Sequence, residues 1–308
     1  CAGFRAKGRV NKRVYTWFMH NEFEVLVMFS RFAGAAIRAL CVVLLIALPS
    51  VMLPATIAGG SEIVSFIAIA AAILTFIEYK SDYPSLIEFR FAPPFNRIRF
   101  GSLFFTVLVL SIICSGKYHA TPVTEFTAAI GQLIAASIDF PFSPVRLVVG
   151  MLPADSPADI VTAVRTAAGI SYLTSLLSLA VFLAALRLSR WPRNSGTFNV
   201  WINLPMFDPT AGGDVVRRLY KDARFNIMLG FLLPFIIPVV VRLAADFFGP
   251  MAMTNPQTLI WTMAAWAFLP ASLFMRGIAM SRVAHMIADQ RRRTYAAEAA
   301  EADDFLVA

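Results

Sequence analysis

In this chain of 308 residues, 58% are hydrophobic and only 15% are charged. A soluble domain carries roughly 25% charged residues, so the polar surface is too small to cover a water-soluble globule. The formal net charge of +8 tracks the flanks of the apolar blocks, so it does not suggest a nucleic-acid partner.

The first segment, 1–35, carries five early basic residues, Arg5, Lys7, Arg9, Lys12 and Arg13. Basic clusters resist translocation, which argues against an externally displayed, lipid-modified Cys1; a start at Cys rather than Met reads as a processed or incomplete beginning. Residues 14–32 mix aromatics with His20, Glu22 and Glu24. They suit a helix lying in the headgroup region or, alternatively, an extension of the first span.

Apolar blocks then occupy 39–57, 63–77, 101–115, 167–186, 226–241 and 259–275. A bilayer core of ~30 Å takes about 20 apolar residues. The second and third blocks are short and need flanking aromatics and a snorkelling Arg99 to span it. The chain therefore reads as one all-α membrane domain, a polytopic bundle of about six spans. Spans one to three fall in 36–115, an external loop in 116–166, spans four to six in 167–275, and a C-terminal helix and tail in 276–308. Assigning the 27 Lys and Arg to these segments puts 23 on one side and 4 on the other. The positive-inside rule makes the 23-residue side, with both ends of the chain, cytoplasmic. A bacterial inner membrane is the expected location.

Ala58-Gly59-Gly60 marks a tight turn between the first two spans. Ser61, Ser65, Ala68 and Ala72 form a small-residue seam on the second. In the cytoplasmic loops, Ile87, Phe89 and Phe91 alternate with Glu88 and Arg90, and Phe198, Val200, Ile202 and Leu204 alternate with Asn199 and Asn203. Period two is the strand signal, and it predicts a small two-stranded β element. In the external loop, Thr121-Pro122 caps an amphipathic helix bearing Val123, Phe126, Ile130, Leu133 and Ser137, resting on the outer surface or re-entrant. Ser156-Pro157 starts a helix that runs into the fourth span. There Ser171, Ser175 and Ser178 follow one stripe with Ala168 and Ala185, which reads as a packing face. Prolines 234, 238 and 270 should kink the last two spans. Asp208-Pro209 or Gly213-Asp214 should start a basic cytoplasmic helix. Arg242 is placed to pair with Asp246, and His285 with Asp289.

None of the 19 acids lies in the middle third of a span, which speaks against proton-coupled transport. The three histidines and three cysteines show no metal, haem or redox spacing, and no nucleophile motif is present. No catalytic, cofactor or metal site is therefore expected. The basic surfaces, namely the N-terminal arm, Arg217/Arg218/Lys221/Arg224 and Arg291/Arg292/Arg293, are candidates for anionic headgroups or an acidic partner. Helix-packing candidates are Ser65, Ala68, Ala72, Ser171, Ser175 and Ser178. These features suggest a non-enzymatic subunit or accessory protein of a larger, energy-transducing membrane assembly, with other membrane subunits as partners. A channel lined by Ser171, Thr174, Ser175 and Ser178 is an alternative. A third is a lipid-modifying enzyme using Glu88, Arg90, Asn96, Arg97, Asp208 and Asp214. A polar conduit along span four would favour the channel, a cytoplasmic pocket of acids and arginines the enzyme, and a dry bundle with a flat apolar flank the subunit.

Overall fold

The structure is a computed structural model describing residues 10–54, 61–90, 92–189, 191–192, 200–208, 210, 212–249 and 253–307. For helical residues 10–28, 61, 93, 200–201, 246, 248 and 301–307 only the backbone is described. The helices are α1 (Val10–Met52), α2 (Ser61–Lys80), α3 (Pro93–Gly116), α4 (Pro122–Ile138), α5 (Pro144–Val149), α6 (Ala158–Leu188), α7 (Val200–Asn203), α8 (Val215–Phe248) and α9 (Pro256–Val307). Six of them (α1, α2, α3, α6, α8 and α9) are long and apolar enough to cross a membrane, so the chain is a multi-pass membrane protein built as a helix bundle. The basic end of the bundle holds the α2–α3 and α6–α8 connections and the second half of α9.

α1 is continuous from Val10, so the amphipathic N-terminal stretch extends the first span rather than lying across it. α1 pairs along its length with α2, as a hairpin should; the Ala58-Gly59-Gly60 turn lies outside the described residues. α8 and α9 form a second antiparallel pair. They approach closely because Gly230 and Gly277 have no side chains. A Cβ on Gly230 would meet the Pro270 carbonyl oxygen at 2.7 Å, and one on Gly277 would meet that of Ala223 at 2.6 Å. α3 and α6 join the two halves, and each packs on α9.

The segment between α3 and α6 departs in part from expectation. The Thr121/Thr124 capping box starts α4 as the sequence indicates. Its small residues are the ones that face inward: Thr124, Gly131 and Ala135 are buried against α3 and α6, while Val123, Phe126, Ile130 and Leu133 point outward. α4 is thus packed on the flank of the bundle, held at its end by Asp139. That buried carboxylate takes Arg146 at 2.6 Å and Arg165 at 2.8 Å. α6 begins after Pro157, with no side-chain cap from Ser156. Asp214 caps α8 through Val216 N–H at 3.3 Å, and the basic helix is the first part of that span.

The β element is a correction, since among the described residues there is no strand. Residues 81–90 form bends and turns, and 200–203 form the short α7. Of the alternating apolar residues, Phe89 and Leu204 enter a compact core at the basic end instead, while Phe91 and Phe198 lie outside the described residues. Phe89, Phe95, Phe182, Trp191, Leu204, Phe207, Leu219 and Met280 are all buried there. The two connections do meet, through a backbone bond from Phe89 N–H to the Asn203 carbonyl at 2.7 Å. Phe89 takes a left-handed φ of 53°, which breaks any ladder and turns its ring inward onto Phe95, 4.5 Å between centroids. A second core, in the span region, gathers Val107, Leu110, Val145, Val164, Ala168, Ile260, Met263 and Ala264.

Arg242, Asp289 and His285 each have contacts beyond the pairs expected from sequence. Arg242 donates to the Gly150 carbonyl, tying α8 to α5; the Asp246 side chain lies outside the described residues. Asp289 accepts from Arg292 at 2.6 Å, and His285 stands edge-on to Tyr220.

Candidate functional site

Between the α1–α2 hairpin and the α8–α9 pair lies a cavity of about 850 Å³, with α3 as its back wall. Its chemistry is graded along every helix. α1 contributes Leu45, Val42 and Cys41 and then, nearer the basic end, Arg38. α3 runs the other way, from Asn96, Arg97 and Arg99 at the basic end to Phe100 and Leu103 deeper in. α9 passes from Phe268 and Leu269 through Ser272 to Arg276, and α8 adds only the apolar Leu233 and Ile237. The result is an apolar chamber with a guanidinium-lined mouth. Four arginines (Arg38, Arg97, Arg99 and Arg276) face one carboxylate, Glu88, a formal excess of three positive charges.

The mouth is held by the α2–α3 connection. Glu78 accepts from the amides of Ser85, Leu86 and Ile87 at 3.0, 2.9 and 3.1 Å and from the Ser85 hydroxyl at 2.5 Å. This folds the connection back under the hairpin. Arg90 donates to the carbonyls of Glu78 and Ser81 at 2.8 and 2.5 Å, and burial depresses its pKa. Asn96 holds the Glu88 carbonyl at 2.8 Å. Glu88 can then meet Arg276 as a two-pronged pair at 2.5 and 2.8 Å, a geometry in which each charge-assisted bond is worth about 1.5–3 kcal/mol.

The other three arginines make no ion pair among the described residues. Arg38 lies over the Tyr79 ring at 4.7 Å and donates to its own helix at the Gly34 carbonyl, 2.6 Å away. Arg99 rests between Phe95 and Phe268, 5.0 and 5.8 Å from their centroids. Its one polar contact is the Asn96 side chain at 3.4 Å, and its buried Nε has no partner. A cation removed from water without a counter-charge is costly; ring faces recover only a fraction of that.

The structure separates the residues singled out from sequence. Of the six polar residues weighed for cytoplasmic-side chemistry, Glu88, Asn96 and Arg97 line the cavity. Arg90 braces the connection, Asp208 accepts from Thr210, and Asp214 pairs with Arg291 at 2.5 Å. Arg217, Lys221, Arg224 and Arg293 are exposed on α8 and α9, away from the cavity. Arg218 lies over the Phe207 ring at 5.0 Å, and Arg292 pairs with Asp289. Arg5, Lys7 and Arg9 lie outside the described residues, as do the side chains of Lys12 and Arg13.

The fourth-span serines are buried and line neither this cavity nor a smaller one of about 380 Å³ near the opposite end, bordered by Lys117, Tyr118 and Asp159. Ser175 and Ser178 donate to carbonyls of their own helix at 2.7 Å, as a packing face does. On α2, Ala68 is buried against α1, Ala72 is half-buried and Ser65 is on the open side. Arg38 and Arg276 were not legible as site residues, and Arg99 read only as a snorkelling anchor. Their one sequence signal is shared: each stands one or two residues outside the basic end of an apolar block.

Comparison with protein families, curated proteins and solved structures finds no match.

Proposed function

We propose that this membrane protein binds an anionic amphiphile of the surrounding leaflet, with its tail in the apolar chamber and its acidic head among the arginines of the mouth. The observation that carries this reading is the uncompensated charge: three guanidinium groups without ion partners among the described residues open onto a largely apolar chamber. A cavity of this size falls within the usual range for ligand sites, ~300–1,000 Å³. Each buried methylene of a tail adds about 0.8 kcal/mol.

We read the site as binding rather than catalytic. Glu88 is engaged by Arg276, the Thr75 hydroxyl donates to Ala71, and no histidine lines the cavity. The excess of Lys and Arg at the same end supports a cytoplasmic orientation for the mouth, in a bacterial inner membrane.

Extraction in a gentle detergent followed by native mass spectrometry tests the reading. A retained lipid mass is expected, and it should be lost in the Arg38→Gln/Arg99→Gln double variant. A wild-type protein that flies lipid-free under conditions preserving the fold would overturn it.

A role as a subunit of a larger assembly is a second reading, favoured by α2. That span packs chiefly on α1 and turns Ile63, Phe66, Ile67, Ile73 and Ile77 outward. Native-gel sizing of the extracted protein should then show one defined complex; migration of the chain by itself would count against it.

A further inference from the structure

From the charge balance of the cavity, we infer that the preferred ligand is a lipid ending in a phosphate monoester, held at its phosphate by Arg99 with Arg38 and Arg97, and admitted sideways between α1 and α8. This rests on the amphiphile reading above and narrows it to a headgroup class and an entry route.

The headgroup follows from counting charges at the mouth, where a half-buried Arg99 stands with the exposed Arg38 and Arg97. Glu88 already neutralises Arg276, so the remaining arginines present three positive charges to the chamber. A fatty carboxylate or a phosphodiester brings one negative charge and would leave two of the three guanidinium groups without a counter-charge at the mouth. A phosphate monoester brings about −1.5 to −2 at neutral pH and three acceptor oxygens. It also matches the planar donor fork of arginine better than a single-point anion does. Arg99 is the central contact because its Nε is buried without a partner while its faces are fixed by Phe95 and Phe268. Its remaining donors are thereby aimed, with little conformational freedom left to lose on binding.

The route follows from packing. The cavity is bounded by α1 on one side and α8 on the other, yet α8 packs on α9 and α5, and α1 packs chiefly on α2 and α3. Among the described residues, no extensive helix packing closes the span between α1 and α8. Its rims are the apolar Val42, Leu45, Leu233 and Ile237, so a chain can slide in from the bilayer while its phosphate stays at the level of the mouth.

Cys41 lines the chamber and is a free thiol, so it can report occupancy. The full chain carrying Cys1→Ser and Cys114→Ala is placed in phosphatidylcholine nanodiscs, alone or doped with phosphatidic acid, phosphatidylglycerol or oleate, or bathed in inorganic phosphate. The readout is the ratio of Cys41 alkylation rates without and with each addition, which cancels the thiol's own pH dependence. Phosphatidic acid should slow alkylation by about tenfold near pH 7.5 and far less near pH 5, because the second phosphate pKa lies at ~6 and the dianion is lost below it. Inorganic phosphate should give little protection, since it lacks the tail. Arg99→Gln should abolish protection, Arg99→Lys should weaken it, and Arg224→Gln, remote from the cavity, should leave it intact. Equal protection by phosphatidylglycerol, or protection unchanged between the two pH values, would overturn the monoester assignment and leave the amphiphile reading standing. A Cys41 that alkylates freely and is protected by no anionic lipid would overturn both.

Discussion

Pro238 removes the amide that would meet the carbonyl of Pro234 one turn earlier in α8, leaving that oxygen orphaned inside the bundle. Trp266 of α9 supplies the missing donor, its indole N–H reaching the Pro234 carbonyl at 3.2 Å. Trp266→Phe should therefore cost ~1–3 kcal/mol, the usual penalty for an unsatisfied buried acceptor, seen as a lowered thermal midpoint in detergent. In a Pro238→Ala background, where the helix can supply its own donor, the same change should cost clearly less. Equal costs in both backgrounds would mean that packing alone fixes Trp266. A second residue-scale test concerns Asp214, whose carboxyl is held below its ordinary range chiefly by its hydrogen bond with Arg291. A depressed folded-state pKa contributes stability that is full above the unfolded value of ~3.9 and is lost as pH falls through the folded one. Amide protection in the first turn of α8, measured against the intrinsic exchange rate at each pH, should accordingly fall as pH drops below about 4, and Asp214→Asn should flatten that dependence.

Among the elements, the α8–α9 seam makes the sharpest demand on sequence. Gly230 and Gly277 each sit where a Cβ would meet backbone atoms of the facing helix below 3.0 Å, so the helices would have to separate. Gly230→Ala or Gly277→Ala should lower stability by about 1–3 kcal/mol. Gly101→Ala, with nothing within 4 Å of the added carbon, should instead stabilise α3 by up to ~1 kcal/mol through helix propensity. Span existence was legible because apolar blocks of this length have few other uses, and the α4 and α8 starts were legible because Thr121-Pro122 and Asp214 are caps with a mechanism. The connections were not. Alternation in 87–91 and 198–204 carries the same period as a strand, but Phe89 and Leu204 fill a core assembled with α3, α6, α8 and α9. That competition is tertiary, and no local window contains it. The amphipathic α4 was misread for a similar reason: its large apolar residues drew attention, while the small Gly131 and Ala135 determined which face packs.

For the whole molecule, two cores are stacked along the bundle, one in the span region and one at the basic end, and the cavity lies beside them where the α1–α2 hairpin stands off from α8. The site was the least legible feature because its arginines come from α1, α3 and α9, separated by 61 and 177 residues (Arg38 to Arg99, Arg99 to Arg276). Each alone looks like an ordinary snorkelling anchor. Only the fold reveals that they converge on one chamber with a single carboxylate among them. The most direct test is an experimental density map of the protein in nanodiscs formed from its native membrane. An elongated density running from the Arg99 guanidinium towards Leu233 and Ile237, ending in a compact head against Arg38 and Arg99, is the predicted result. A chamber closed by α1 packing onto α8, or one holding only discrete waters around the three arginines, would contradict it.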